Sequence, residues 1–275
     1  MSTNEADRPQ ELVPEQIGDD RYRAQNVGNP EEGDVVFGGQ LMSQLIVIAA
    51  DRNPGKNVKT LHTIFARGAR VSQPTEIEAS SMHDGRSFGS ETLTVWQGDR
   101  LCARALVLLS ADEPDLIQHT TEMPPVEGPD RCQPAGPAGL AFPGAEFRVV
   151  GDVDTWDPDA PTGPPELYVW MRHPLASDEQ CVNQAILSYA TDGFLIGAAM
   201  RPHAGYGQNR AHVDLATGVV SHTMTFHEPF SVAAWSLLAQ EVVYTGRGRV
   251  YGRSNIFSED GTLVASFVQD SIIRE

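Results

Sequence analysis

The sequence predicts an α+β protein made of two antiparallel sheets, each wrapped around one long apolar helix. Two observations lead to this prediction. A helix that is apolar nearly all round is followed by strand-like segments separated by turn residues, and the same order returns in the second half of the chain. Such a helix has to be covered on more than one face, and a sheet curved around it provides that cover.

The first half begins with a polar tail over residues 1–10, which we expect to be disordered, and a short strand at 21–25. A buried helix is predicted over residues 41–50 and stops before Pro54 and Gly55. Strands are predicted at 60–65, 76–83, 87–97 and 101–110. The short connection Gln-Gly-Asp-Arg at 97–100 is typical of a hairpin between the last two.

The second half repeats this order after a long interruption. Residues 112–165 hold 11 of the 19 prolines and show no sustained periodicity, which indicates a linker or crossover. A helix is then predicted over 179–200, with strands at 222–226, 237–244, 249–258 and 262–273. We therefore predict an N-terminal domain at 12–111, a Pro-rich linker at 112–165 and a C-terminal domain at 166–275.

A repeated glycine pattern supports an internal duplication. Gly-Arg-x-aromatic-Gly at 85–89, with a turn glycine at 98, recurs at 248–252 and 261 with one offset of 163 residues. His62-Thr63 recurs as His222-Thr223 at an offset of 160. A helix wrapped by its own antiparallel sheet, present twice, is the double hot-dog fold.

Composition excludes several classes of function. Twenty Lys and Arg stand against 37 Asp and Glu, and the net charge of −17 repels nucleic acid and anionic membranes. The three cysteines form no CxxC pair, and no leader or membrane-spanning apolar segment is found, so we expect a cytoplasmic protein that does not bind membranes. The sequence also lacks HExxH, GxSxG and P-loop motifs, so we expect neither a metal nor a serine-hydrolase mechanism.

Five ordered motifs resemble the signature segments of type II acyl-CoA thioesterases, and the resemblance covers residues 12–274. The motifs are VFGGQ at 36–40, HDGRSF at 83–88, YATD at 189–192, HTMTFHEPF at 222–230 and DGTLVASFVQ at 260–269. The resemblance implies a double hot-dog enzyme that hydrolyses acyl-CoA to a free fatty acid and CoA without a metal or redox cofactor. Open sheet edges and the resemblance both favour a homo-oligomer, a dimer or a tetramer.

Thioester hydrolysis needs a directed water, a group that accepts its proton and donors for the oxyanion. Asp192 falls about 60° from Tyr189, at the edge of the apolar stripe of the second predicted helix. In similar thioesterases the aspartate of this motif orients or activates the water. The alternative is an acid that faces solvent or caps a backbone amide.

Gln269 lies in an otherwise apolar strand, and the 163-residue offset makes Leu106 its counterpart. A buried amide must be hydrogen-bonded, so Gln269 binds either the substrate water or a backbone group.

The resemblance places a third residue, a hydroxyl, three positions before His222, but this chain has Val219 there. Ser221 and Thr223 lie at a spacing of two from Val219 and are expected on its face of the strand. Either could replace the missing hydroxyl if a bulge re-aims it, and we select Ser221.

We expect the repeated pair His62 and His222 to serve the fold, because both halves contain it; a general-base role is the alternative. Asp51 ends the first helix as Asp192 lies in the second, but that half lacks the amide, so we interpret it as scaffold and pocket wall. The predicted catalytic set is Asp192, Gln269 and Ser221. A weak or inactive acyl-CoA-binding protein of the same fold is the alternative, and a hydratase is disfavoured because its Asp–His pair is missing from the Asp192 motif.

Overall fold

The computed structural model describes residues 8–28, 33–135 and 144–275, so most of the predicted disordered tail, residues 1–7, lies outside the described residues. The chain forms two compact units. The first comprises Met1–Pro114 and Glu179–Tyr189, and the second comprises Asp115–Asp178 and Ala190–Glu275. Neither unit is continuous in sequence, so a segment predicted for the C-terminal domain belongs to the first unit.

The first unit contains an antiparallel sheet that includes every strand predicted for this half. Its strands follow the order β1-β2-β4-β5-β6-β3. They are β1 (Glu15–Gly18), β2 (Arg21–Ala24), β3 (Asn57–Phe65), β4 (Thr75–Asp84), β5 (Phe88–Gln97) and β6 (Arg100–Ser110). The hairpin predicted at 97–100 is confirmed, because Gln97 pairs with Arg100 and Gly98 adopts a positive φ of 59°.

Helix α1 (Gly38–Arg52) is buried over Gly39–Ala49, as its sequence predicts. Residues 180–189 of α2 (Gln180–Thr191) pack beside it in the same unit. The Ser43 hydroxyl lies 2.7 Å from the Ala185 carbonyl oxygen, and Gly39 approaches the Tyr189 carbonyl too closely to accommodate a Cβ. The close approach of the two helices therefore depends on small residues in α1.

Arg8 connects the ends of these two helices. Its guanidinium donates to Asp51 at 2.9 Å and to Glu179 at 2.8 Å. The thiol of Cys181 is buried beside it. Burial raises the pKa of Cys181 to about 11, although the nearby Arg8 acts in the opposite direction.

The strands of the second unit are antiparallel and follow the order β10-β13-β12-β11-β9-β8-β7. Four of its strands were predicted: β10 (Ala216–Phe226), β11 (Ser236–Gly246), β12 (Arg249–Ser258) and β13 (Leu263–Arg274). Three were not: β7 (Gln133–Pro134), β8 (Glu146–Val149) and β9 (Glu166–Arg172). The predicted linker therefore contributes β7 and β8 to this sheet.

The single helix predicted over 179–200 is wrong, because the chain breaks it into α2 and α3 (Leu195–Met200). Residues 192–194 form the turn between the two helices. The Gly193 carbonyl accepts a hydrogen bond from Gln208 Nε2 at 3.2 Å instead of continuing the helix.

Strand β10 contains an irregularity at Val220. Val219 pairs with Ser271, but Ser221 pairs with Asp270, so Val220 has no partner in the ladder. Such a bulge shifts the alternation of side chains by one residue. Val219 and Ser221, which are two positions apart, therefore lie on opposite faces of the strand.

In the part of the chain that the structure describes, no helix has the length and apolar character needed to cross a membrane.

Candidate active site

Two carboxylates are buried in the described part of the chain, Glu91 and Asp192. Glu91 accepts hydrogen bonds from Arg52 Nε and from Asn53 Nδ2, each at 3.1 Å, so a cation and an amide satisfy it. Asp192 is 9% exposed, and its Oδ1 lies 3.6 Å from Nδ1 of His222. A buried carboxylate next to an imidazole is suited to proton transfer, whereas one neutralised by Arg is not.

The turn that carries Asp192 is anchored from two sides. Gln208 holds the Gly193 carbonyl and in turn accepts a hydrogen bond from Thr155 Oγ1 at 2.7 Å. On the other side, Leu195 packs onto Gly252 in β12, where an added Cβ would lie 2.7 Å from Leu195 Cδ1. Asp192 thus lies in an anchored turn rather than in the predicted helix, and its burial argues against an acid that merely faces solvent.

His222 is fully buried beside this turn. Its Nε2 lies 3.2 Å from Thr191 Oγ1, and its ring centroid lies 4.8 Å from that of Phe267. The 3.6 Å separation from Asp192 is longer than an ordinary hydrogen bond and places the imidazole in direct proximity to the carboxylate. The ring is therefore held next to the carboxylate by contacts on more than one side.

The equivalence of His62 and His222 inferred from sequence is wrong by one residue. His62 pairs with Leu106, which is 48% exposed, and lies on the outer face of its sheet. The residue that corresponds to His222 is Leu61, since each is the second paired residue after the bulge of its strand and each is buried. Among the described residues of these two strands, a histidine thus lies on the inner face in the second unit only, so a role in the fold common to both halves is not supported.

Gln269 is the cross-strand partner of His222 and is 1% exposed, so both side chains lie on the inner face of this sheet. Its Nε2 donates to Ser271 Oγ at 2.9 Å. Its Oε1 has no hydrogen-bond partner within residues 8–28, 33–135 and 144–275. The prediction that Leu106 is the counterpart of Gln269 is wrong by one residue. Since Leu61 corresponds to His222, its partner Val107 corresponds to Gln269.

Ser221 and Thr223 are not brought to Asp192. They alternate with the buried His222, so they lie on the opposite face, and the Ser221 hydroxyl donates to Asp270 Oδ2 at 3.5 Å. The bulge that could have turned one of them towards the site is present. Its effect is the opposite, because it places Ser221 and Thr223 on the other face from Val219. Val219 shares the inner face with its partner Ser271.

The Gly-Arg-rich segment at 246–252 forms the β11–β12 hairpin. Gly246 pairs with Arg249, and Arg247 and Gly248 adopt positive φ angles of 54° and 71°. The next residue in β12, Arg253, donates to Glu241 at 2.9 Å and is exposed. Among the described residues, no group of three or more His, Cys, Asp or Glu has the arrangement of a metal site.

Comparison with family models gives two matches that together span most of the chain. The acyl-CoA thioesterase N-terminal domain matches residues 28–110, and the acyl-CoA thioesterase C-terminal domain matches residues 122–273. The chain belongs to the acyl-CoA thioesterase family. The predicted family and the predicted class of enzyme, a thioester hydrolase, are thereby confirmed.

Individual relatives agree with this family. Human acyl-coenzyme A thioesterase 8 is 24% identical over 94% of this chain and 86% of its own length. Acyl-CoA thioesterase 2 from Haemophilus influenzae is 26% identical and covers 87% of each chain.

Solved structures show the same fold. A TesB protein from Mycobacterium avium subsp. paratuberculosis superposes with a TM-score of 0.80 at 20% identity, covering 96% of this chain and 97% of its own. The acyl-CoA thioesterase II TesB2 from Mycobacterium marinum gives 0.78 at 24% identity, with the same coverage. A protein described as having a hot dog fold, from Alicyclobacillus acidocaldarius, gives 0.75 at 16% identity over 97% of each chain.

Proposed function

We propose that this protein is a double hot-dog enzyme that hydrolyses fatty acyl-CoA with a water activated by Asp192. The observation that carries the proposal is the placement of a buried carboxylate beside His222, whose cross-strand partner is the buried amide Gln269. Directly opposed residues in an antiparallel pair have Cβ atoms roughly 5 Å apart. The carboxylate and the Gln269 amide thus neighbour the same imidazole, which supports a water bound between the carboxylate and the amide oxygen.

The proposed reaction uses these groups in turn. Asp192 accepts a proton from the water while the Gln269 Oε1 accepts its other hydrogen, which directs the oxygen lone pair at the thioester carbonyl carbon. The new C–O bond gives a tetrahedral oxyanion, which collapses with cleavage of the C–S bond. The proton held by Asp192 passes to the departing sulfur, so the products are a carboxylic acid and the free CoA thiol.

The test is steady-state thiol release from a series of acyl-CoAs, from short to long chain. We expect Asp192→Asn to lose most of the turnover at every chain length, because an amide cannot accept the proton. Asp51→Asn is the matched control, since Asp51 also ends a helix but is bound by Arg8 on the surface. Wild-type turnover in Asp192→Asn would contradict the proposed mechanism.

A second candidate is an acyl-CoA-binding protein of the same fold, which Val219 favours because a valine cannot orient water. Measurable acyl-CoA binding without thiol release by the wild type would support it. A hydratase is a further candidate, because His222, which lies outside the Asp192 motif, is 3.6 Å from the carboxylate. Loss of the enoyl absorbance of a 2-enoyl-CoA without thiol release would favour hydration.

Binding of the substrate, association and location complete the proposal. The acyl chain lies along the apolar interface between helix and sheet, and CoA lies outside it near arginine side chains. The chain forms a homo-oligomer in the cytoplasm, which light scattering and cell fractionation test directly.

A further inference from the structure

The hydroxyl that the thioesterase resemblance implies at position 219 is replaced by a valine, but a different hydroxyl lies directly opposite. Val219 in β10 pairs with Ser271 in β13. Side chains of directly opposed residues lie on the same face, roughly 5 Å apart at Cβ. A hydroxyl is therefore present at this point of the inner face, on the neighbouring strand.

Ser271 is tied to Gln269. It is fully buried, lies two residues after Gln269 and so shares its face, and its Oγ accepts the 2.9 Å hydrogen bond from Gln269 Nε2. Asp270, between the two, lies on the opposite face and pairs with Ser221. The contact of Ser271 thus belongs to the site and not to the surface of the sheet.

We propose that Ser271 is a positioning residue that fixes the orientation of the Gln269 amide, and so takes over the function of the hydroxyl that is missing at Val219. This inference rests on the proposed acyl-CoA hydrolysis. The two ends of an amide differ, because Nε2 only donates and Oε1 only accepts. With Nε2 held by Ser271, the unpartnered Oε1 is the end that remains to accept a hydrogen from the attacking water.

Ser271→Ala removes the hydroxyl that holds Gln269 Nε2 and so lets the Gln269 amide rotate. In part of the molecules the NH2 group then occupies the place of Oε1, and it cannot accept a hydrogen from the water. We expect kcat to fall about 10- to 100-fold, the range that misplacement of a reacting group produces, while KM changes less than about twofold. Ser271→Thr keeps the hydroxyl and should retain activity. Ser271→Cys keeps the volume with a much weaker acceptor and should fall in between.

The rescue variant Val219→Thr/Ser271→Ala restores a hydroxyl to this point from the other strand and should recover most of the lost kcat. The control is Ser254→Ala, which removes another buried strand serine whose hydroxyl donates to a backbone carbonyl. A melting-temperature measurement accompanies each variant. Should Ser271→Ala fail to fold, Ser271→Cys and the rescue variant provide the same comparison.

Wild-type kcat in Ser271→Ala, or an equal loss in Ser254→Ala, would overturn the assignment to Ser271 while the hydrolysis itself stands. Failure of the proposed function gives different results. A wild type that releases no thiol overturns both proposals, whereas an unaffected Asp192→Asn overturns the role of Asp192.

Discussion

The packing of Leu195 on Gly252 predicts that a single methyl group displaces the turn that carries Asp192. A Cβ at position 252 would lie 2.7 Å from Leu195 Cδ1, 2.8 Å from Cδ2 and 2.8 Å from the Glu241 carbonyl oxygen, whereas ordinary contact begins at 3.4 Å. To regain ordinary contact, Leu195 Cδ1 must move by about 0.7 Å and the Glu241 carbonyl oxygen, which belongs to the neighbouring strand, by about 0.6 Å. Leu195 lies three residues after Asp192, and we expect the displacement to be transmitted to the turn that carries the carboxylate.

Overpacking of this kind costs about 1–3 kcal/mol, which corresponds to a melting temperature lower by about 2–6 °C for a chain of this size. We expect Gly252→Ala to lower kcat about 10- to 100-fold, because sub-ångström to ångström misplacement of a reacting group has effects of this size. Differential scanning fluorimetry and thiol release measure the two effects.

Gly218→Ala is the matched control, since its Cβ would meet a single atom, Ile272 Cγ1, at 4.0 Å. Shortening the opposing side chain in Gly252→Ala/Leu195→Ala should restore part of kcat, as expected for directly coupled residues. Coupling between Leu195 and the Asp192 turn is refuted if Gly252→Ala behaves like Gly218→Ala. It is also refuted if Leu195→Ala lowers the kcat of Gly252→Ala further instead of restoring part of it.

Two further predictions concern His222 and Cys181. His222→Asn should lower kcat about tenfold with little change in KM, because the Asp192 carboxylate loses the adjacent imidazole. His62→Asn, on the outer face, should leave kcat unchanged. Equal effects of the two substitutions would refute this prediction. The folded pKa of Cys181, about 11, lies above its ordinary value of 9.0, so the stability that burial of the neutral thiol contributes is complete below pH 9 and is lost as the pH rises towards 11. Urea unfolding of the wild type and Cys181→Ala should show a difference in unfolding free energy that changes between pH 9 and 11, and a constant difference would refute it.

Much of the fold could be predicted because it follows from local patterns. The apolar stretch at 41–50 has no polar stripe, and the Gly98 turn has the residues that a two-residue hairpin requires, so helix and hairpin were both found. Strands β7 and β8 were missed because they are short and lie in a Pro-rich segment. They depend on pairing, β7 with β8 and β8 with β9, rather than on their own periodicity.

The candidate site was predicted in part. Asp192 and Gln269 were selected by chemistry and resemblance, since a polar group in an apolar context needs a partner wherever it lies. Ser221 was selected by a spacing of two, and the bulge at Val220 reverses that spacing. The bulges also set the correspondence of the two halves, so that His222 aligns with Leu61 rather than His62. Ser271 was missed because its position opposite Val219 follows from the pairing of two strands and has no signature within one.

The discontinuity of the two units has a consequence for how this chain can be divided. The first unit needs residues 180–189, which the chain supplies only after 64 residues of the other unit, Asp115–Asp178, have been made. A fragment cut at the first boundary would leave α1 without the helix that Ser43 and Gly39 contact. The two units therefore alternate along the sequence, and neither can be obtained by a single cut of the chain.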